Sequence, residues 1–154
     1  MLKKLKKNKK KGFTLVERIV VLVILAILAA LLIPALTGYI DKAKEKSITA
    51  ETRQTVMAAQ TLLDEAYGAT DNAQDNSLDG NDFQQTGEFT KAKVAKLAEV
   101  SESNIVSVKV SGAKITELVY KDTKAKKQCT YTKAAADGSK GKYVVEDIKN
   151  NNGK

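Results

Sequence analysis

The sequence predicts an α+β fold, in which a long N-terminal helix forms a spine and a small C-terminal antiparallel sheet forms a headgroup. Two observations carry this prediction. Residues 13–67 have the pattern of one continuous helix, apolar all round in its first half and amphipathic in its second. The last third of the chain contains short runs rich in β-branched residues and tyrosine, separated by turns that contain glycine.

The predicted helix begins behind a basic stretch. Seven of the first twelve residues are lysine, and an apolar run of 18 residues follows at 19–36. At about 1.5 Å per residue this run spans roughly 27 Å, close to the hydrocarbon core of about 30 Å. The lysines predict that this end stays in the cytoplasm. No small-residue cleavage site follows the run, so we expect it to remain in the membrane rather than act as a secretory signal.

One carboxylate, Glu17, stands at the start of the apolar run. An ionisable group at the centre of a membrane helix costs roughly 2.5 to 3.5 kcal/mol, and less near the interface, so such groups are usually paired and functional. We therefore expect Glu17 to have a cationic partner. The neighbouring Arg18 could pair with it locally or reach toward lipid phosphates. The plainer alternative is a carboxylate resting at the interface of an ordinary membrane anchor.

The second half of the helix is amphipathic. Its apolar residues recur at spacings near three and four and predict a face packed on the headgroup: Ile48, Val56, Ala59, Leu63 and Ala66. Within the first half, Pro34 cannot donate to the carbonyl of Ala30, which predicts a kink rather than a stop. A merely tolerated membrane-helix proline is the plainer alternative.

A polar stretch at 68–87 predicts a long exposed connection. Within it, residues 75–82 have the oxygen spacing of the start of a calcium loop, but Thr86 stands where a bidentate glutamate is expected, so a solvated loop is favoured over a metal site. A short helix capped by Thr90 is predicted at 90–100. Four strand candidates form a predicted antiparallel meander, with turns at 111–112 and 137–141: 105–110, 114–120, 128–133 and 142–146.

Composition excludes several classes of function. The chain carries 26 Lys plus Arg against 18 Asp plus Glu, a net charge of +8, but without the seven lysines of residues 1–12 the balance is 19 against 18, or +1. This near-neutral remainder argues against nucleic acid as a partner, and the lysines at 121–127 fit a solvated loop. There are no histidines and one cysteine, so histidine-dependent catalytic or zinc sites and an intrachain disulfide are excluded. We predict no enzyme activity, no metal and no cofactor, with Cys129 as core filler.

The segment Gly12-Phe13-Thr14-Leu15-Val16-Glu17, the lysine-rich leader before it and Pro34 resemble the processing and assembly signature of type IV pilins. The resemblance covers about the first forty residues. It implies cleavage after Gly12 by a prepilin peptidase, N-methylation of Phe13, and pairing of Glu17 with the terminal amine of a neighbouring subunit. The chain departs from the family at Arg18, where an apolar residue is usual, and at Ala26, where glycine is frequent.

The resemblance also implies an organisation and a function. Its parts are a leader (1–12), a membrane and filament-core half-helix (13–36), an amphipathic half-helix (37–67), an αβ-loop (68–89), and a headgroup with a short helix and sheet (90–154). The implied role is the structural subunit of a type IV pilus, anchored in the membrane and then polymerised on the cell surface by an assembly machinery, in adhesion, motility or biofilm formation. The alternatives are a pseudopilin of a type II secretion or DNA-uptake system, and a single-pass membrane enzyme or receptor.

Overall fold

The computed structural model describes residues 12–69, 78–80, 82–134 and 140–148. The elements whose bounds fall in these ranges are two α-helices, a short 3-10 helix and four strands. They are α1 (Leu15–Gly68), α2 (Lys91–Leu97), the 3-10 helix (Glu102–Asn104), β1 (Ile105–Ser111), β2 (Lys114–Asp122), β3 (Lys127–Thr132) and β4 (Lys142–Asp147). Four predictions lie wholly or partly outside the described residues: the leader, the exposed connection at 68–87, the calcium-like stretch within it and the turn at 137–141.

The strands form one antiparallel sheet in the order β1-β2-β3-β4, which confirms the predicted meander and the α+β fold class. The apolar residues of β1 do not alternate strictly, because its pairing with β2 shifts register between Ile105 and Ser107 and again between Lys109 and Val110. Such irregularities insert extra residues into one strand and reset the alternation. Ile105, Val108 and Val110 are therefore all buried.

The chain divides into two compact units, Met1–Ile40 and Asp41–Lys154. In the first unit the described residues are all exposed, and α1 is its one element of regular structure. The second unit, the headgroup, contains the rest of α1, α2 and the sheet. Here α1 buries a stripe of small and branched residues at helical spacing: Ile48, Thr52, Thr55, Val56, Ala58, Ala59, Leu62, Leu63 and Ala66. The five predicted packing residues are all in this buried set.

Two threonines in this stripe are fully buried and keep their hydroxyl groups bonded. The Thr52 hydroxyl donates to the carbonyl of Ile48 at 2.7 Å, and the Thr55 hydroxyl donates to that of Glu51 at 2.8 Å. The helix thus satisfies these groups by itself, and no partner from the sheet is needed. On the sheet side the core includes Leu118, Tyr120 and Cys129.

Helix α2 begins as predicted and ends earlier. Thr90 caps it, because its hydroxyl accepts from the Lys93 N–H at 3.3 Å. The predicted end at residue 100 was wrong by three residues. Glu99 adopts a left-handed φ of 54°, and the Val100 N–H turns back to the carbonyl of Ala95 at 3.0 Å. This is a helix-terminating arrangement that usually uses glycine, which explains why the sequence did not indicate it.

The connection before α2 is less exposed than predicted. In its described part, Leu78, Phe83 and Phe89 are buried, and the rings of Phe83 and Phe89 lie 5.2 Å apart. Gly80 exchanges two backbone hydrogen bonds with Val110, at 3.2 and 2.9 Å, so the segment lies along the edge of β1. These isolated apolar residues lack any period, and the sequence therefore suggested a fully solvated loop.

Candidate assembly site

The start of α1 is closed by a capping box between Thr14 and Glu17. The Glu17 Oε2 atom accepts from the Thr14 N–H at 2.8 Å, and the Thr14 hydroxyl accepts from the Glu17 N–H at 3.3 Å. Two backbone donors that have no partner inside the helix are thereby satisfied. A carboxylate in the first turn also interacts favourably with the helix dipole. This role of Glu17 was not predicted from the sequence, although Thr-x-x-Glu before an apolar run is its usual signature.

The capping box leaves Glu17 with accepting capacity, because a carboxylate has about four lone-pair sites. Glu17 and Arg18 are both exposed. Among the described residues, the ion pairs all lie in the headgroup, and none joins Glu17 to Arg18. The local pairing that the sequence left open is therefore not formed in this structure.

The junction between Gly12 and Phe13 lies directly before the capping box. The Phe13 side chain is 76 % exposed. A Cβ added to Gly12 would meet no atom within 4 Å of the described chain, so no contact within it demands glycine. If glycine is required here, the requirement must come from outside the folded chain.

The apolar segment 19–36 has no covering partner among the described residues. Its large apolar side chains are each about half exposed or more, from Leu28 at 50 % to Leu31 at 71 %. By length and composition the helix that contains it can cross a membrane, and none of its most apolar window is buried inside the structure. Apolar side chains of this extent need lipid or another protein around them.

Helix α1 continues through Pro34, so the expected absence of a stop is confirmed, while the kink stays a prediction. The Thr37 hydroxyl donates to the carbonyl of Pro34 at 2.8 Å. The carbonyl that loses its helical donor to the proline is that of Ala30, so the Thr37 bond does not replace the missing one.

In the headgroup, Lys127 contradicts the expectation of a solvated lysine run. Its side chain is only 5 % exposed, and its Nζ atom lies 2.8 Å from Asp147 Oδ1, 3.0 Å from Asp41 Oδ1 and 3.5 Å from Glu45 Oε1. Hydrogen bonding to Asp147 and then to Asp41 raises the pKa of Lys127 well above its usual 10.5. The ammonium group thus joins β3 to β4 and to α1.

The other groups with candidate chemistry are held inside the fold. Burial raises the pKa of the Cys129 thiol, which disfavours its reactive form. Asp79, in the calcium-like stretch, accepts from the Gly112 N–H at 2.9 Å and from the Tyr67 hydroxyl at 3.0 Å, and the Gly112 bond chiefly lowers its pKa. Across the described ranges, no three His, Cys, Asp or Glu side chains are grouped so that they could hold a metal ion.

Comparison with known proteins gives two kinds of match. One covers the start of the chain, and the other extends over nearly its full length. A protein-family model described as the prokaryotic N-terminal methylation motif matches residues 7–33, which include Gly12, Phe13 and Glu17. Fimbrial protein Q of Moraxella bovis is 30% identical over 161 aligned positions, covering 92% of this chain and 99% of that protein.

Two sequences of the type IV major fimbrial protein FimA of Dichelobacter nodosus are each 40% identical over 57 residues, 37% of this chain and 36% of the relative. No solved structure matches the chain. The similarity to Fimbrial protein Q therefore extends over the headgroup as well as the helix, whereas the similarity to the FimA sequences covers about a third of either chain.

Proposed function

Because this chain belongs to the type IV pilin family and is a structural subunit of a type IV pilus, we propose that it is made as a prepilin and cut between Gly12 and Phe13. The observation that carries this proposal is the match of residues 7–33 to the N-terminal methylation motif. Cleavage removes the seven leader lysines and leaves a new amine on Phe13. Methylation of that nitrogen leaves a secondary amine, which remains protonated and cationic at neutral pH.

In this proposal Glu17 pairs with the methylated Phe13 amine of a neighbouring subunit during polymerisation. Its carboxylate stands beside an apolar segment that must leave the lipid, and a charge in such surroundings requires a partner. The capping box supports the pairing, because the bond from the Thr14 N–H holds the Glu17 side chain against the helix start. The carboxylate is then oriented before the neighbour arrives, which lowers the cost of ordering it.

The apolar half-helix, 13–36, would have two roles. Before assembly it anchors the precursor in the membrane, and after assembly it packs among equivalent helices in the filament core. Lipid tails are as apolar as neighbouring helices, so burial alone gives little drive for extraction, and partner machinery must supply it. The bend proposed at Pro34 would fit the helix to its neighbours. The membrane, a prepilin peptidase and the assembly machinery are thus its partners, and the cell surface is its final location.

The relatives are named as fimbrial proteins, which favours a pilus subunit over a pseudopilin of a secretion or DNA-uptake system. Their structural role also suggests that this chain is not an enzyme. Adhesion, motility and biofilm formation are the roles that we propose for the filament.

The test separates the charge of Glu17 from its capping role. Glu17→Gln keeps an oxygen that can accept from the Thr14 N–H but removes the negative charge. Thr14→Val removes the capping hydroxyl, at about 1 kcal/mol of helix stability, but keeps the carboxylate. We expect the Glu17→Gln chain to be cut and methylated in the producing cells, by mass spectrometry, yet absent from sheared filaments.

Thr14→Val should be processed and should still appear in filaments. Normal filaments from Glu17→Gln would contradict the pairing. If Gly12→Ala abolishes processing while filaments remain normal, the proposal that assembly requires a free Phe13 amine is wrong. In both cases membership of the pilin family would be unaffected, because it rests on the similarity along the whole chain.

A further inference from the structure

Outside the first unit, three large apolar side chains in the described part of the headgroup are half exposed or more. They are Met57 at 65 %, Leu97 at 50 % and Val106 at 50 %. A single exposed apolar residue is normal on a protein surface. Two of these three, however, line the same groove, and the third lies in a separate cleft.

The first surface, the Met57 groove, lies between α1 and α2. Met57 and Leu97 line it together with the small residues Ala50 and Ala58, and its volume is about 410 Å³. Arg53 is the one charged residue among those that line it. Its guanidinium carbon lies 5.2 Å from the centre of the Tyr143 ring, so the cation is held in place beside the groove.

The second surface, the Val106 patch, lies at the start of β1. Val106 shares its cleft with two acidic residues, Asp82 and Glu102, and with one basic residue, Lys91. The three charges sum to −1, from two carboxylates and one ammonium group. No residue lines both surfaces.

We propose that the Met57 groove of one subunit receives the Val106 patch of a second copy in the filament, an inference that rests on the proposed pilus function. The groove carries one positive residue, Arg53, and the patch carries a net charge of −1, so opposite charges would meet beside the apolar contact. Groove against groove would bring two Arg53 side chains together, and patch against patch would bring the carboxylates together. A contact between two different surfaces is heterologous, and it propagates into a fibre when its rotation does not close a ring.

The test is chemical cross-linking of filaments that carry Met57→Cys and Val106→Cys in the same full-length chain. Both new thiols stand at exposed positions. The native Cys129 is fully buried, so it should not react with the cross-linker. A short bismaleimide added to sheared filaments should give a ladder of covalent dimers, trimers and higher species. Filaments of either single variant should give none. A normal filament without a ladder, or cross-linked dimers from one single variant, would overturn the proposal while leaving the pilus function standing.

If the double cysteine variant does not assemble, introducing a charge of either sign at residue 106 tests the docking. Val106→Glu should keep most filaments, because the new carboxylate faces Arg53 of the neighbour. Val106→Lys should lose at least about tenfold, since like charges then meet. Within its own chain the lysine is the better tolerated of the two, as it stands beside Asp82 and Glu102. Equal losses from both variants, or a greater loss from Val106→Glu, would contradict the docking. Absence of filaments from the unaltered chain would instead refute the proposed function.

Discussion

At the scale of single residues, Lys127 links the last strands to α1 through ion pairs, where a disulfide cannot form. With one cysteine, no intrachain disulfide can tie the last strands to the rest of the headgroup. The buried ammonium group is shared instead by carboxylates from α1 and β4. A buried charge is costly unless it is paired, and here each of the three partners is itself largely exposed and easily hydrated.

Lys127→Met should therefore lower the melting temperature of the full-length chain in detergent, because it removes the common partner and leaves three carboxylates close together. Lys124→Met is the matched control, since Lys124 is exposed and comes three residues earlier in the same lysine run. The two melting temperatures can be compared by circular dichroism. Equal effects of the two substitutions would show that the Lys127 ion pairs do not hold the headgroup together.

The lysine run also shows what the sequence could and could not predict at this scale. A cluster of lysines ordinarily indicates a solvated loop, and Lys124 and Lys126 are indeed exposed. Lys127, however, begins β3 and stands two residues before the buried Cys129, so strand alternation places it on the inner face. That signal was available. The identity of its partners was not, because Asp41 lies 86 positions away.

At the scale of elements, the hairpin between β1 and β2 is strained at one position. Its loop is Gly112 and Ala113, with φ values of 56° and 55°. Two consecutive left-handed residues are typical of the type I′ turn, which suits the twist of an antiparallel pair. Glycine adopts this conformation freely, whereas alanine pays roughly 1 to 2 kcal/mol.

Ala113→Gly should consequently stabilise the headgroup by about 0.5 to 1 kcal/mol, the relief of strain being partly offset by the greater freedom of glycine in the unfolded chain. Gly112→Ala is the matched control, and it should destabilise by about 1 kcal/mol. A Cβ at Gly112 would meet no atom within 4 Å of the described chain, so the loss would come from the backbone alone. Denaturant unfolding measures both changes, and a destabilising Ala113→Gly would refute the strain.

Among the elements, the strands were easier to predict than the connections between them. The four strands begin and end within two residues of the predicted bounds, because β-branched runs and turn residues define them locally. The packing of Leu78 and Phe83 could not be predicted in this way. Each is one apolar residue in a polar stretch and is nevertheless buried. The bridge that brings this segment to the edge of β1 joins Gly80 to Val110, which is distant in sequence, and the Phe83 ring lies against Phe89.

At the scale of the whole molecule, folding raises the pKa of each of four groups that titrate in alkali. Burial is the largest cause for Cys129, Tyr143 and Tyr120, and hydrogen bonding to Asp147 is the largest for Lys127. Tyr120 is the clearest case, with a pKa raised from 10.0 to about 12. Its hydroxyl donates to Glu51 Oε2 at 2.8 Å and accepts from Asn104 Nδ2 at 3.2 Å.

A group whose pKa is raised by folding binds its proton more tightly in the folded state. Its contribution to stability is fully present below the unfolded pKa and is lost as the pH rises through the folded value. The loss should begin near pH 9.0, the usual pKa of the cysteine thiol, and continue through 10.0 for the tyrosines and 10.5 for Lys127. In acid, Asp79 has the opposite dependence. Folding lowers its pKa, so its contribution to stability is present above its usual pKa of 3.8 and is lost as the pH falls below that value.

The melting temperature of the full-length chain should therefore decline steadily above about pH 9, because each of the four groups loses its proton in the unfolded chain at a lower pH than in the folded one. Melting curves collected at successive pH values, with Tyr120→Phe as the matched variant, provide the measurement. Phenylalanine cannot ionise, so this variant should lose less stability between pH 10.0 and about 12 than the unaltered chain. A spectrophotometric titration should show a late-ionising tyrosine that Tyr120→Phe abolishes. Parallel alkaline declines in both chains would mean that Tyr120 ionises as readily in the folded state as in the unfolded one.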